Sequence, residues 1–476
     1  MNRYFAAFLT FFAAVVPFFL FWAFLPDGDL STIFLFLLYL AVVVVIGLRS
    51  TRQVRSAEDF YVAGRRAGPL HVAGSLLATV LGSSAILGSI DFAFAKGWAG
   101  AWFMLCGALG LFGLFFMAKA LSSFRVSNLP ELLGKFYGSG VRRVSSGVIA
   151  LAWLGVIGAQ LIGAGMITGT ICGIPYWSAV VLISLSVIVY TAMGGQFSIL
   201  HTDLFQLAFV LGGIGGMALI LFLRHPEAEA LPLISEKFTC SDLAVMIVAY
   251  STTFLVGPDV YSRLFCARDI ASARRSLLIS AAVLVPFSFV LAYIGIYGAN
   301  FHSGSAGGGN VLFAIANAEF PRFMTLILYF TILSAIMSSA DTTLFTASSL
   351  LTQFFISDTA DGVRRIRVTR ICAVCVGLIA GSVALFNKSI LDVLLFALSV
   401  YSGAFVLPTA WALLGGAPRR GYGVCAMIAG GTLALAGKIV GGQSGNLLVI
   451  AAFVCCLLIL SAGEIGRRFR LHAGEK

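Results

Sequence analysis

The sequence predicts an all-α polytopic membrane protein with about fourteen transmembrane helices, because apolar runs of about 20 residues recur along the chain. Hydrophobic residues make up 59% of its 476 residues, and charged residues only 11%. The mean hydropathy is +0.99, and no soluble core requires so much apolar sequence. The predicted spans are Tyr4–Phe24, Thr32–Leu48, Leu70–Phe94, Trp98–Leu121, Val144–Ile171, Tyr176–Met193, Leu204–Leu223, Leu243–Gly257, Leu277–Ala299, Met324–Phe355, Val368–Phe386, Leu391–Leu414, Val424–Val440 and Leu447–Ile465.

Basic residues alternate between the two sides of these spans. The formal net charge is +11, and most Lys and Arg residues share one side when the amino terminus is cytoplasmic. This pattern follows the positive-inside rule, so both termini are expected in the cytoplasm and the protein in a plasma membrane of the bacterial inner-membrane type. It explains the basic composition without a nucleic-acid partner. The clusters are Arg49 to Arg66, Arg263 to Arg275, Arg364 to Arg370 and Arg467 to Arg470.

The first apolar run, Tyr4–Phe24, has two interpretations, a retained span or a signal peptide, since Arg3 precedes it. The run is long and rich in aromatic residues, and no small-residue cleavage site comes before Pro26. We therefore expect a retained helix.

Several classes of function lack the residues they need. The nine cysteines lie mostly within spans, and the CxxC of Cys372 and Cys375 has no second pair, so we expect small buried side chains. The five histidines lie near span ends or in loops, which disfavours acid–base chemistry at mid-membrane. The sequence therefore predicts no enzyme, no cofactor and no transition metal. It also lacks the repeated pore elements of a channel.

A polar island lies inside the apolar run Met324–Phe355. Leu333 to Thr342 reads LSAIMSSADT, which places a carboxylate and several hydroxyls within a lipid-soluble helix. Such groups are costly in hydrocarbon and usually face a cavity or an ion path. Because hydroxyl, carboxylate and carbonyl oxygens suit hard cations, the island indicates a small cation handled at membrane depth.

Two predicted spans, five spans apart, are irregular. Leu70–Phe94 contains Gly82-Ser83-Ser84 in its middle, and Leu243–Gly257 is short and ends at Gly257-Pro258. In transporters built from inverted repeats, such matched spans mark the binding site, since an opened helix frees carbonyls for coordination. Ordinary packing of Gly and Ser between helices is the alternative.

The segment Tyr190 to Gln206 reads YTAMGGQFSILHTDLFQ. The pattern YTxxGG followed by TDxxQ resembles the sodium:solute symporter family, which includes sodium-coupled sugar, proline, pantothenate and sialic acid carriers. Four further stretches are similar to that family in the same order, over about Ser56 to Pro408. They are Asp59 to Arg65, Asn128 to Glu131, Gly257 to Arg263 with Ala273 to Arg275, and Met337 to Asp341.

The resemblance implies a LeuT-type core of two inverted five-helix repeats, at 70–224 and 242–416. Residues 1–69 would form two further transmembrane helices and a cytoplasmic loop, and residues 417–476 two more helices and a short cytoplasmic tail. The implied function is sodium-coupled symport of a small organic solute by alternating access, in a functional monomer in the lipid bilayer. The alternatives are a proton-coupled symporter of the same fold and a transporter-like membrane sensor.

The resemblance also implies ligands for the coupling ion between the first and eighth core helices. Carried over by position, they are the carbonyls of Ala78, Leu81 and Ala335 and the hydroxyls of Ser338 and Ser339. Some family members hold a second cation lower down, which here would involve Asp203, Ser338, Asp341 and Thr342. An ion exit path is the alternative for these residues, as is helix capping by Asp203.

The solute is expected near mid-membrane between core helices one, three, six, seven and ten. Val80 stands where several relatives carry Asp or Asn, so solute recognition is expected to differ. We expect no Arg or Lys at that depth, and the weakly polar lining favours an amino acid or a short carboxylate over a sugar. The candidate lining residues are Ser83, Ser84, Trp153, Gln160, Ser251, Thr252, Thr253, Phe287 and Tyr401.

Overall fold

The computed structural model describes residues 29–124, 126–226, 229–302, 311–356, 361–386, 390–414, 420–440 and 442–472. These residues are almost entirely helical, and the β-type pairs among them are isolated bridges. The helices are α1 (Asp29–Thr51), α2 (Ala57–Val62), α3 (Pro69–Val80), α4 (Ser83–Lys96), α5 (Trp102–Ser123), α6 (Leu129–Tyr137), α7 (Ser139–Cys172), α8 (Tyr176–Arg224), α9 (Cys240–Met246), α10 (Thr252–Leu255), α11 (Pro258–Leu264), α12 (Ile270–Phe301), α13 (Val311–Glu319), α14 (Arg322–Phe355), α15 (Gly362–Phe386), α16 (Ile390–Leu413), α17 (Arg420–Val440) and α18 (Gly442–His472).

The all-helical prediction is confirmed for the described residues. Nine helical stretches among them are long and apolar enough to cross a membrane. The predicted span Tyr4–Phe24 lies outside the described residues. The total of fourteen spans and the two inverted repeats stay predictions.

The first irregular span is broken in its middle. Helix α3 ends at Val80, and Leu81 (φ −82°, ψ 42°) and Gly82 (φ −64°, ψ 162°) leave the helical conformation before α4 begins at Ser83. We call Leu81 and Gly82 the first break. The predicted interruption is therefore confirmed.

The second irregular span is broken as well. A widened turn over Ile247–Ser251 leads into α10, and then Val256 (φ −126°, ψ 16°) and Gly257 (φ −66°, ψ 126°) interrupt the helix. We call Val256 and Gly257 the second break. The predicted span Leu243–Gly257 is therefore interrupted at its expected end, and Pro258 then opens a new helix, α11, at a position where its missing N–H costs nothing.

A third irregularity bends α8. Gly195 has φ 56° and ψ −144°, a backbone conformation that L residues rarely adopt. A Cβ at this position would lie 2.6 Å from the carbonyl oxygen of Phe60. The bend therefore lets α8 pack closely against α2.

Helix α14 lies at the centre of the arrangement. It packs against α7 and α8, and it also contacts α3 and α11, the helices next to the two breaks. The broken helices are joined at one end, because Ala67 N–H donates to Cys266 O at 3.0 Å and Arg268 N–H donates to Ala67 O at 3.1 Å. The fold thus places both breaks around the polar island.

Candidate ion and solute site

The first break lies directly against the polar island of α14. Ser338 Oγ donates to Ala78 O at 3.0 Å across the two helices and to Ala335 O at 3.1 Å within its own helix. Ser339 Oγ donates to Ala335 O at 3.1 Å. All four residues are buried. The structure therefore brings these predicted ligand residues together.

Gly82 permits this close approach. A Cβ on Gly82 would lie 2.7 Å from Ser339 Oγ, so a side chain there would displace the hydroxyl. Because Leu81 and Gly82 are not helical, carbonyls of this turn are released from the helical hydrogen-bond ladder. Leu81, the remaining predicted ligand, stands where that ladder ends.

These residues present an uncharged set of oxygen donors. Hydroxyl and carbonyl oxygens are ligands for hard cations, and protein sites for Ca²⁺ or Mg²⁺ add carboxylates. Each hydroxyl keeps lone pairs while it donates its proton, so a small reorientation turns it toward an ion. Among the described residues, no group of His, Cys, Asp and Glu could hold a metal. The set fits a monovalent alkali cation.

A buried arginine lies beside this set. Arg263 on α11 is fully buried, and its guanidinium donates to the Thr342 hydroxyl, to Ser75 Oγ at 3.2 Å, to Ser262 Oγ at 2.9 Å and to Asp203 Oδ2 at 3.5 Å. Ser75 also donates to Asp203. Arg263, which the sequence placed in a basic cytoplasmic cluster, is thus buried between helices.

The course of the second broken helix explains this burial. With the span ended at Gly257, Arg263 falls into the basic cytoplasmic cluster that runs to Arg275. Helix α11 instead continues toward α3 and α14 and carries the guanidinium between them. A buried arginine of this kind requires a carboxylate partner, and Asp203 supplies it.

Asp341 occupies a cage of hydroxyl groups in the same region. Thr202 Oγ1 donates to its Oδ2 at 3.4 Å, and Thr342 Oγ1 lies 3.3 Å from its Oδ1. The Tyr190 hydroxyl is a further partner of this carboxyl group. The structure thus gathers the residues predicted for a second cation site, Asp203, Asp341 and Thr342, around a protein cation.

Two of the solute-pocket candidates meet just beyond the first break. Ser83 Oγ donates to Gln160 Oε1 at 3.5 Å, and both residues are buried. Ser83 opens α4, and Gln160 lies on α7. The Gln160 amide oxygen therefore has a buried partner.

Two aromatic candidates lie at the second break. Trp153 Nε1 donates to both carboxylate oxygens of Asp259 at 3.1 Å, and its ring meets that of Tyr401 edge-on at 5.0 Å. The Tyr401 hydroxyl donates to Val256 O. These side chains therefore fix the second broken helix to α7 and α16.

The remaining solute-pocket candidates make fewer contacts with one another. Thr253 Oγ1 donates to Tyr250 O at 2.7 Å, within its own turn. Ser251 and Phe287 are buried, while Ser84 and Thr252 are half-buried. Within the described part of the chain, no hydrogen bond or ring contact joins Ser84 or Phe287 to the other candidates.

Comparison with known proteins identifies the family of this chain. Residues 60–414 match the model of the sodium:solute symporter family. The chain belongs to that family. This transporter is therefore a membrane protein of secondary transport and not an enzyme, as the sequence motifs predicted.

Two solved structures show the same fold at low sequence identity. One is described as the substrate-bound, outward-open state of a Na⁺-coupled sialic acid symporter, with a novel Na⁺ site. It is 18% identical, has a TM-score of 0.74, and the match covers 90% of this chain and 97% of that one. The other is Mhp1, a nucleobase-cation-symport-1 family transporter in a closed conformation with bromovinylhydantoin bound. It is 15% identical, has a TM-score of 0.58, and the match covers 86% and 94% of the two chains.

Two functional candidates in this transporter were missed by the sequence analysis. Arg263 was assigned to a cytoplasmic cluster, and Asp259 was treated only as part of a family motif. The sequence does carry a signal for both residues. Pro258 is a good first residue of a helix, and Asp259 and Arg263 follow it, four residues apart from each other.

Proposed function

We propose that this transporter couples the entry of Na⁺ to the uptake of a small organic solute by alternating access. An amino acid or a short carboxylate is the favoured solute class. We further propose that it works as a monomer in a bacterial-type inner membrane with both termini in the cytoplasm. The arrangement of basic clusters supports this orientation.

The observation that carries the proposal is the bond between Ser338 and Ala78 across the first break. Sodium bound at Ala78, Leu81, Ala335, Ser338 and Ser339 would replace hydrogen bonds that now join α14 to the broken helix. Binding would therefore set the relative position of these two elements. The membrane potential would assist inward movement, since one charge crossing 100 mV is worth about 2.3 kcal/mol.

We also propose that a single Na⁺ accompanies each solute. The residues suited to a second cation, Asp203 and Thr342, are engaged by the Arg263 guanidinium. A second Na⁺ there would meet a positive charge at close range in a medium of low dielectric. In this proposal, the Arg263 guanidinium is a fixed substitute for a second Na⁺.

Proton coupling is the second candidate, and one observation favours it. Asp341 is a fully buried carboxyl group surrounded by hydroxyls. A proton on this group would offset its charge in the absence of a bound ion.

One experiment separates the two candidates. The purified transporter is reconstituted in proteoliposomes, and the uptake of labelled amino acids, carboxylates and sugars is measured under a Na⁺ gradient alone and under a proton gradient alone. We expect accumulation with the Na⁺ gradient only. Accumulation driven by protons without Na⁺ would overturn sodium coupling.

A further inference from the structure

Helix α14 carries polar side chains on two adjacent faces below the proposed sodium ligands. Ser338 and Thr342, spaced i, i+4, share one face. Ser339, Thr343 and Thr346, spaced i, i+4, i+7, share the other. With the orientation proposed above, both faces descend from the sodium site toward the cytoplasm.

The face of Ser338 is closed. Asp341 and Thr342 below it have no exposed surface. The Arg263 guanidinium, also 0% exposed, bonds the Thr342 hydroxyl and Asp203. A cation moving down this face would approach a fixed positive charge, which repels it.

The face of Ser339 is also buried, but the Arg263 guanidinium bonds none of its three hydroxyls. Ser339, Thr343 and Thr346 keep 6%, 4% and 4% of their surface accessible. The Thr343 hydroxyl donates to Ser339 O at 2.7 Å, and its oxygen lone pairs remain available as acceptors. The face is therefore a row of hydroxyl oxygens along α14.

This row leads to a carboxylate. Asp259 is half-buried, and the Trp153 indole N–H holds both of its oxygens at 3.1 Å. Among the described residues, no basic side chain forms a salt bridge with Asp259. Arg263, one turn further along α11, acts on this carboxylate electrostatically, but its own salt bridge is with Asp203.

The Thr346 hydroxyl lies next to that carboxylate. Its oxygen is buried and makes no hydrogen bond of regular geometry in the described part of the chain. A buried hydroxyl without such a bond carries a desolvation cost, which an ion beside it would offset. Carboxylate and hydroxyl oxygens together form a donor pair for a hard cation.

We propose that Asp259 and Thr346 form a transient subsite for a monovalent cation. The coupling Na⁺ passes from Ser339 along Thr343 to this subsite on its way to the cytoplasm, and Trp153 positions the carboxylate. The sequence analysis considered Asp203 as the exit residue, whereas the structure assigns the exit to Asp259. This inference rests on the proposed sodium coupling.

The test uses sodium alone as the probe. The purified full chain is equilibrated with radioactive Na⁺, then diluted into unlabelled Na⁺, and the release of label is followed over time. Loss of a carboxylate from the exit path raises the barrier in both directions. Asp259→Asn should therefore slow release by about five-fold, with an equilibrium Kd within about two-fold of the wild type.

Matched variants complete the design. Asp259→Glu keeps the charge and should restore the rate, and Asp242→Asn, at an exposed carboxylate bonded to Thr239, should leave it unchanged. Thr346→Val should slow release less than Asp259→Asn, since it removes an oxygen but no charge.

Each alternative outcome has a separate meaning. Release from Asp259→Asn at the wild-type rate would overturn the exit path, as would a large loss of affinity that Asp259→Glu does not restore. Displacement of the label by organic ammonium ions through Asp259 alone would instead assign the subsite to a cationic solute group. A wild-type chain that binds no Na⁺ would overturn the proposed function itself.

Discussion

The two helix breaks differ in what satisfies the groups they release. At the first break, the Ser338 hydroxyl of a neighbouring helix donates to Ala78 O. At the second, phenol groups do so, since Tyr401 donates to Val256 O and Tyr261 donates to Leu255 O at 3.0 Å. Serine hydroxyls can turn toward an ion, whereas these rings are packed in the core.

This difference indicates different duties for the two breaks. The first could exchange hydrogen bonds for bonds to a cation, so under the proposed function its geometry would depend on whether Na⁺ is present. The second is held by side chains of the protein itself. In this proposal, ion binding and the support of the exit path are separated between the two broken helices.

Removing Arg263, which links the two broken helices, should have the largest effect. Arg263 joins α11 to Ser75 on α3 and to Asp203 on α8, so Arg263→Met leaves a buried carboxylate without its partner, at a cost of about 3–5 kcal/mol. We expect a large fall in thermal stability and in the amount of folded protein.

The double variant Arg263→Met/Asp203→Asn should recover much of that stability, because it removes both charges. Thermal unfolding of the two variants in detergent measures the difference. If Arg263→Met alone is as stable as the wild type, the guanidinium is not a structural cation at this site.

Loss of a proposed sodium ligand should have the next largest effect. It should weaken Na⁺ binding and leave folding largely unchanged. Ser339→Ala removes one oxygen from the first break, and a bond to a charged group is worth about 1.5–3 kcal/mol. We expect the Na⁺ concentration for half-maximal uptake to rise by about ten-fold or more.

Ser348→Ala is the matched control, since the Ser348 hydroxyl donates to Leu344 O within the same helix. Its sodium dependence should match the wild type. Equal sodium dependence of Ser339→Ala and the wild type would place the ion elsewhere.

A pair of Gly→Ala variants compares the breaks directly. The added Cβ of Gly82→Ala would lie 2.7 Å from Ser339 Oγ, and that of Gly257→Ala would lie 2.9 Å from the backbone oxygen of Thr253. A hydroxyl can rotate away, but a backbone carbonyl cannot.

Gly82→Ala should therefore weaken Na⁺ binding with little loss of stability. Gly257→Ala should lower stability with an unchanged Na⁺ affinity. Sodium titrations and thermal unfolding of both variants give the comparison, and the reverse pattern would contradict the division of duties.

The smallest effect is expected at the support of the second break. Tyr401→Phe leaves Val256 O without its donor, which costs about 1–3 kcal/mol, and should slow solute turnover without changing Na⁺ affinity. Tyr137→Phe is the control, because the Tyr137 hydroxyl donates to Pro408 O at 2.8 Å, away from the breaks. Its stability should fall by a similar amount, with normal turnover per folded molecule.

The sequence predicted the helical fold and the first break, because apolar runs and Gly-Ser interruptions have local signatures. The proximity of Ala78 to Ser338 was implied by the family resemblance and not by a local pattern. Sequence reasoning failed for Arg263 and Asp259. Their roles depend on where α11 runs after Gly257, and a basic residue near a span end has the same local pattern whether it faces water or the core. The Trp153 contact with Asp259 joins residues far apart in the chain, which no local pattern encodes.

The most direct test of the account is the number of Na⁺ ions that one chain binds. Equilibrium binding of radioactive Na⁺ to the purified transporter, related to protein concentration, supplies that number. The account predicts one ion per chain, because the guanidinium of Arg263 occupies the second position, and about ten-fold weaker binding of that ion in Ser339→Ala. Two bound ions, or one that survives removal of the Ser339 hydroxyl unchanged, would contradict it.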